Sequence, residues 1–98
     1  IAGGYRVQDP AADMAVAAAL VSALSERPVP VDAVAFGEIA LSGEIRPVAH
    51  GALRLKEASK LGFERALVPA AMTEDKSGLK LAGFKTLGAF VDHMLGRG

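Results

Sequence analysis

The chain has 98 residues, 51% of them hydrophobic and 22% charged, so it holds one small domain with a real core and excludes both a second independent core and intrinsic disorder. Eleven lysines and arginines balance eleven aspartates and glutamates, so the net field is weak and any nucleic-acid contact needs a local basic patch. The absence of cysteine excludes a disulfide framework, a thiolate nucleophile and a Cys-based zinc site, and fits a cytoplasmic protein.

At the N-terminus, Ile1-Ala2-Gly3-Gly4 has neither an initiator methionine nor a basic stretch ahead of an apolar one. It reads as a chain entered partway rather than as a signal peptide. Asp9-Pro10 then starts a helix: the aspartate accepts from free backbone N–H groups as N-cap, and proline at the first helical position gives up a donor that has no partner there anyway. The predicted helix runs from Pro10 to Glu26, with Met14, Ala17, Ala18, Val21 and Leu24 as its inward stripe, until Pro28 and Pro30 forbid continuation. Its other face reads as mostly covered by alanine. Met14 to Leu24 is also the longest apolar run, and with Ser22 inside it and Ser25-Glu26-Arg27 at its end it falls short of the ~18–20 residues of a membrane span.

Val31 to Leu41 is β-rich without alternation, the pattern of a strand buried on both faces, and Ser42-Gly43 turns it into a partner strand at Glu44-Ile45-Arg46 that Pro47 ends or confines to an edge. A second helix is predicted from Gly51 to Leu61, with Ala52, Leu55, Ala58 and Leu61 on its apolar side and Gly62 at the left-handed C-terminal position. Phe63 to Pro69 reads as a short strand, Ala70 to Gly78 as a polar loop, and Leu79 to Phe84 as a further strand. The last helix, Thr86 to Leu95, is the most periodic segment, with Leu87, Phe90, Val91, Met94 and Leu95 at i, i+3, i+4, i+7 and i+8. With a strand placed before Asp9, the predicted order is βαββαββα, an α/β (α+β) domain with a mixed sheet and three helices.

Neither GxxxxGK[ST] nor GxGxxG occurs, so no phosphate loop of a known kind is present. His50 and His93 are far apart in sequence and lack metal-ligand spacing; they read as a loop residue and a helix-surface residue. Glu38 and Glu44 flank the hairpin and have the chemistry of an acid/base pair, but nothing else in the chain completes a hydrolase site, so they read as solvated strand-end charges. Asp13, in the first turn of the first helix, reads as a carboxylate placed on the positive helix end, not as a catalytic group.

The segment Phe36-Gly37-Glu38-Ile39-Ala40-Leu41-Ser42-Gly43-Glu44-Ile45-Arg46-Pro47-Val48 carries a signature. With Ala2-Gly3-Gly4, Asp9-Pro10-Ala11-Ala12-Asp13 and Arg54-Leu55-Lys56-Glu57-Ala58-Ser59-Lys60-Leu61-Gly62-Phe63, it resembles the C-terminal Lon-protease-like domain of the bacterial RadA (Sms) DNA-repair family over nearly the whole chain. Lon itself is similar but more distant. The resemblance implies a Lon protease proteolytic-domain-like fold over residues 1–98, and it implies that strands preceding Ile1 in that fold are missing, leaving a sheet edge prone to non-native pairing.

Lon-type proteases use a serine at the first helix N-terminus and a lysine from the second helix. Counting from Gly37-Glu38 without gaps puts the serine position at Ala11 and the lysine position at Arg54. Alanine has no nucleophilic atom and arginine stays protonated, so neither half of a Ser–Lys dyad is available. Asp13 stands where the protease motif has glycine, placing a carboxylate where an oxyanion needs stabilising. The family resemblance further implies a parent protein with a zinc finger and a RecA-like ATPase, hence ATP, magnesium and zinc, assembled as a homohexamer on single-stranded or branched DNA. None of the ATPase or zinc residues lie in this sequence, and no cofactor is assigned to it.

A non-catalytic scaffold that supports the ring is the leading expectation, with Arg46, Arg54, Lys56 and Lys60 as candidate DNA contacts and Arg65 nearby. Lys56 and Lys60 fall opposite the Leu55/Ala58/Leu61 stripe; Arg54 lies at its border. A solvated amphipathic face explains the same pattern, and Glu57 and Glu64 dilute the charge. Two rivals stand beside it: a Lon-type peptidase with a displaced dyad, Ser42 or Ser59 with Lys56 or Lys60, and a small-molecule-binding regulatory domain.

Overall fold

A computed structural model describes residues 10–73 and 77–97. The Asp9 cap, the strand predicted before it, the Ala2-Gly3-Gly4 segment and residues 74–76 of the polar loop lie outside the described residues. The elements in chain order are α1 (Asp13–Ser25), β1 (Ala33–Ala35), β2 (Glu38–Ile39), β3 (Ile45–Arg46), α2 (Gly51–Lys60), β4 (Arg65–Pro69), β5 (Lys80–Phe84) and α3 (Leu87–Met94). The α/β class with three helices is as the sequence predicts, and parallel and antiparallel pairings both occur, carried by two sheets.

The larger sheet has the order β1-β4-β5 with both ladders parallel, in the register Ala33↔Arg65↔Lys80. Central β4 is covered on both faces, which is why Ala66-Leu67-Val68 reads as an unbroken apolar run. Its alternation sorts the core into two clusters. Leu67 points with Ala35, Ala82 and Phe84 to Met14 and Ala18 of α1 and Phe90 of α3. Ala66 and Val68 point the other way, with Val34 and Leu81, to Leu55 of α2 and to Ala11. The molecule is therefore α1 and α3 on one face of a three-stranded sheet and α2 on the other.

The predicted strand Val31 to Leu41 is two strands in two sheets. The chain leaves the parallel sheet at Phe36-Gly37, because Gly37 turns its backbone to the start of α1: its N–H donates to the Ala11 carbonyl (2.9 Å) and its carbonyl accepts from Met14 N–H (3.1 Å). β2 and β3 then form the predicted hairpin, Glu38↔Arg46 and Ile39↔Ile45, around a turn in which Gly43 takes φ +90°, a conformation open to glycine without strain. The hairpin is tied to the β5–α3 junction: Ile45 N–H donates to the Lys85 carbonyl (2.8 Å) and Leu87 N–H to the Gly43 carbonyl (2.7 Å).

Helix boundaries shift by small amounts. Pro10–Ala12 is a 3-10 turn, and the α-helix proper begins at Asp13. Met14 and Ala18 are buried as expected, but Leu24 is 86% exposed, and the face expected to be alanine-covered carries Val16 and Leu20 into solvent. On α2, Leu55 and Ala58 are buried while Ala52 and Leu61 are exposed: the helix ends at Lys60, and Leu61 belongs to the turn that Gly62 completes. In α3 the Thr86 hydroxyl caps the helix by accepting from Ala89 N–H (3.1 Å).

Candidate functional site

The 3-10 turn before α1, the end of β1 and one side of α2 frame a groove of about 550 Å³ lined by both Ala11 and Arg54. Ala11 is almost completely buried, its methyl packed in the cluster of Phe36, Leu55, Ala66 and Val68. Arg54 lies one helical turn after His50, and its Nε–H donates back to the Ala49 carbonyl (3.1 Å). His50 itself takes a left-handed conformation (φ +59°) at the N-terminus of α2 and, with Glu57 and Arg54, supplies the ionisable groups of the groove. Among the described residues the groove lining contains no hydroxyl, thiol or amine side chain. Its chemistry is that of an apolar recess with a charged rim, to which Ala11 contributes a methyl group and Arg54 a permanent cation.

Asp13 does more than sit at a helix end. Its Oδ2 accepts from Ile39 N–H at 2.9 Å, fixing β2 against the start of α1. Sequence reasoning found the residue and missed this role, because the partner is 26 residues away; the signal was an aspartate in a first turn that already had a capping candidate at Asp9. Asp13→Ala is expected to lower the unfolding free energy by about 1.5–3 kcal/mol, the range for a hydrogen bond to a charged group, and Asp13→Asn by less because its amide oxygen keeps an acceptor. Urea denaturation followed by circular dichroism measures both; equal losses would assign the effect to charge alone.

The basic candidates do not form one cluster. Arg46 stands on the hairpin, paired with Glu44 through Nε–Oε1 (3.0 Å) and opposite Glu38 in register. The two carboxylates imagined as an acid/base pair thus flank a cation. Lys60 lies 3.8 Å from Glu57, and Arg65 pairs with Asp32 (3.3 Å); such exposed pairs contribute little stability. Lys56 and Lys60 occupy the solvent face of α2, away from the groove that Arg54 lines. Lys56 forms no ion pair among the described residues.

The two serines of the displaced-dyad alternative are both exposed. Ser42 is exposed in the hairpin turn, where its Oγ accepts from Glu44 N–H (3.3 Å), and Ser59 is exposed on α2. Neither is hydrogen-bonded to Lys56 or Lys60 among the described residues. His93 is an exposed residue of α3 whose ring meets Phe84 edge-on, centroids 5.0 Å apart. Among the described residues no group of three or more His, Asp or Glu side chains is placed to hold a metal ion, and no helix is long and apolar enough to cross a membrane.

The chain matches the family model ChlI, described as subunit ChlI of Mg-chelatase, over residues 3–72. The chain is 52% identical over 81 residues to the DNA repair protein RadA of Aquifex aeolicus, covering 83% of this chain and 18% of that protein. It is 61% identical over 69 residues to RadA of Brucella abortus (70% of this chain, 15% of that protein). Against RadA of Escherichia coli the figures are 48% over 89 residues, 89% of this chain and 19% of that protein. The chain spans less than a fifth of the length of these curated relatives.

Proposed function

The chain belongs to the ChlI family and within it to the RadA type, and from that premise we propose that it is the non-catalytic, Lon-like scaffold domain of a DNA recombination and repair ATPase, working in the cytoplasm within a hexameric ring. The observation that carries this reading is α1. It buries Met14 and Ala18 against the sheet, yet its outer face presents Val16, Leu20 and Leu24 at i, i+4 and i+8, 48%, 58% and 86% exposed. A helix apolar all round is normally a buried helix, and a neighbouring protomer supplies the missing cover. The groove supports the same reading from the other side of the sheet: with Ala11 and Arg54 in it, peptide hydrolysis has neither attacking atom nor proton acceptor at those positions. DNA contact is a secondary role of Arg46, Arg54, Lys56 and Lys60, and falls first to Lys56, the one of them on the α2 surface without a carboxylate partner among the described residues.

The test is sedimentation of a RadA-type protein carrying this domain with Leu20→Glu and Leu24→Glu together. Rings are expected to give way to monomers or small oligomers, since each glutamate puts a desolvated charge into the contact. Intact rings would remove α1 from the interface. In the same preparation Lys56→Ala with Lys60→Ala is expected to make DNA binding less steeply dependent on salt, by about one to two phosphate contacts. Casein stays intact throughout; cleavage abolished by Ser42→Ala or Ser59→Ala would restore the peptidase.

A further inference from the structure

A second groove, of about 450 Å³, lies on the opposite face of the parallel sheet, between the segment that follows α1 and the end of α3. Its floor is aliphatic: Val29, Leu67, Ala82 and Met94. Its rim is cationic. Arg27 enters from the end of α1, Arg65 and Lys80 stand side by side as register partners on β4 and β5, and the imidazole of His93 adds a polar ring from α3. Among the described residues no carboxylate lines it. Asp32 pairs with Arg65; Arg27 and Lys80 form no ion pair among the described residues.

We propose that this groove is a docking site for a short acidic peptide segment of a partner protein, an apolar anchor residue flanked by carboxylates. Two features select that occupant. Charge complementarity calls for an anion, since cations ring an apolar floor without acidic neighbours in the lining. The dimensions call for a chain: the row Ala33–Arg65–Lys80 crosses three strands, about 10 Å at the usual strand spacing, which is the reach of about three extended residues. A leucine-sized side chain then covers Leu67 and Met94 while carboxylates on either side face Arg27 and Lys80. Nucleic acid fits less well. Among the described residues of the lining the one aromatic ring is His93, which is already edge-on to Phe84 and leaves no stacking platform.

The experiment is a titration of the isotopically labelled chain with an acetylated, amidated Glu-Asp-Leu-Asp-Glu peptide, followed by NMR shift changes and fluorescence anisotropy. The expected result is saturable binding, with shifts centred on Arg27, Leu67, Lys80 and Met94. Lys80→Glu and Arg27→Glu, both at exposed positions, each weaken it at least tenfold. Lys56→Glu, on the other side of the sheet, leaves it unchanged. Absence of binding, or equal binding of a Gln-Asn-Leu-Asn-Gln peptide, overturns the proposal. So does a short oligonucleotide that shifts the same residues more strongly, which makes the groove a nucleic-acid surface, and so do the same shifts appearing with protein concentration alone, which make its occupant a second copy.

Discussion

Phe90→Ala is expected to cost about 3–5 kcal/mol of unfolding free energy, the range for truncating a fully buried aromatic. Phe90 is 0% exposed and is the largest fully buried side chain of the described residues. It is the point at which α3, α1 and the sheet meet: its cluster contains Met14 and Ala18 from one helix, Leu67 and Phe84 from two strands, and Ile45 from the hairpin. Phe84 meets it edge-on, with centroids 5.2 Å apart and planes at 69°, an arrangement that adds to the area term. Domains of this size have total stabilities toward the low end of about 5–15 kcal/mol, so the variant loses a large share of its native population at 37 °C. Thermal denaturation checks it, at roughly 4–8 °C per kcal/mol; a drop of under 5 °C would mean that α3 is not locked on the sheet through this ring.

Gly37→Ala is the second large effect, and its cause is crowding. A β-carbon on Gly37 would run into Met14 Sδ and lie 3.0 Å from Pro69 Cγ. Met14 is fully buried and Pro69 is a rigid ring at the end of β4, so neither yields easily. Overpacking of this kind costs about 1–3 kcal/mol. The Gly37 peptide also makes both backbone bonds to the start of α1, so the strain falls on the link between α1 and β2. A double-mutant cycle with Met14→Ala separates the causes: if the clash is the source, the pair is more stable than the sum of the singles predicts, with a coupling of about 0.5–3 kcal/mol. Strict additivity would place the damage in the backbone instead.

The same glycine explains why part of the fold was hidden in the sequence. α3 was legible because Leu87, Phe90, Val91 and Met94 state a period within eight residues, although the role of Thr86 as its cap came from the structure. The hairpin was legible for the same local reason, Ser42-Gly43 between two short β-rich stretches. Val31 to Leu41 was not: its break at Phe36-Gly37 is made by Ala11, Met14 and Pro69, none of them neighbours in sequence. Leu61 misled for a smaller reason, having helical spacing one residue beyond the helix. The candidate site divides in a similar way. Periodicity put Lys56 and Lys60 on the outer face of α2, where they are. That Ala11 and Arg54 line one groove was not legible from the residues, because no property of alanine and arginine in a single sequence draws them together. The pairing of Arg46 with Glu44 was available from strand geometry, since residues two apart on a strand share a side.

One further consequence follows from the thinness of the central strand. Leu67 floors one groove, while its neighbours Ala66 and Val68 pack the cluster that holds Ala11 beside the other. A ligand that moved Leu67 would move Ala66 and Val68 with it, since the three share one run of backbone, and any factor by which it changed binding at the other groove would be returned unchanged, because linkage is reciprocal.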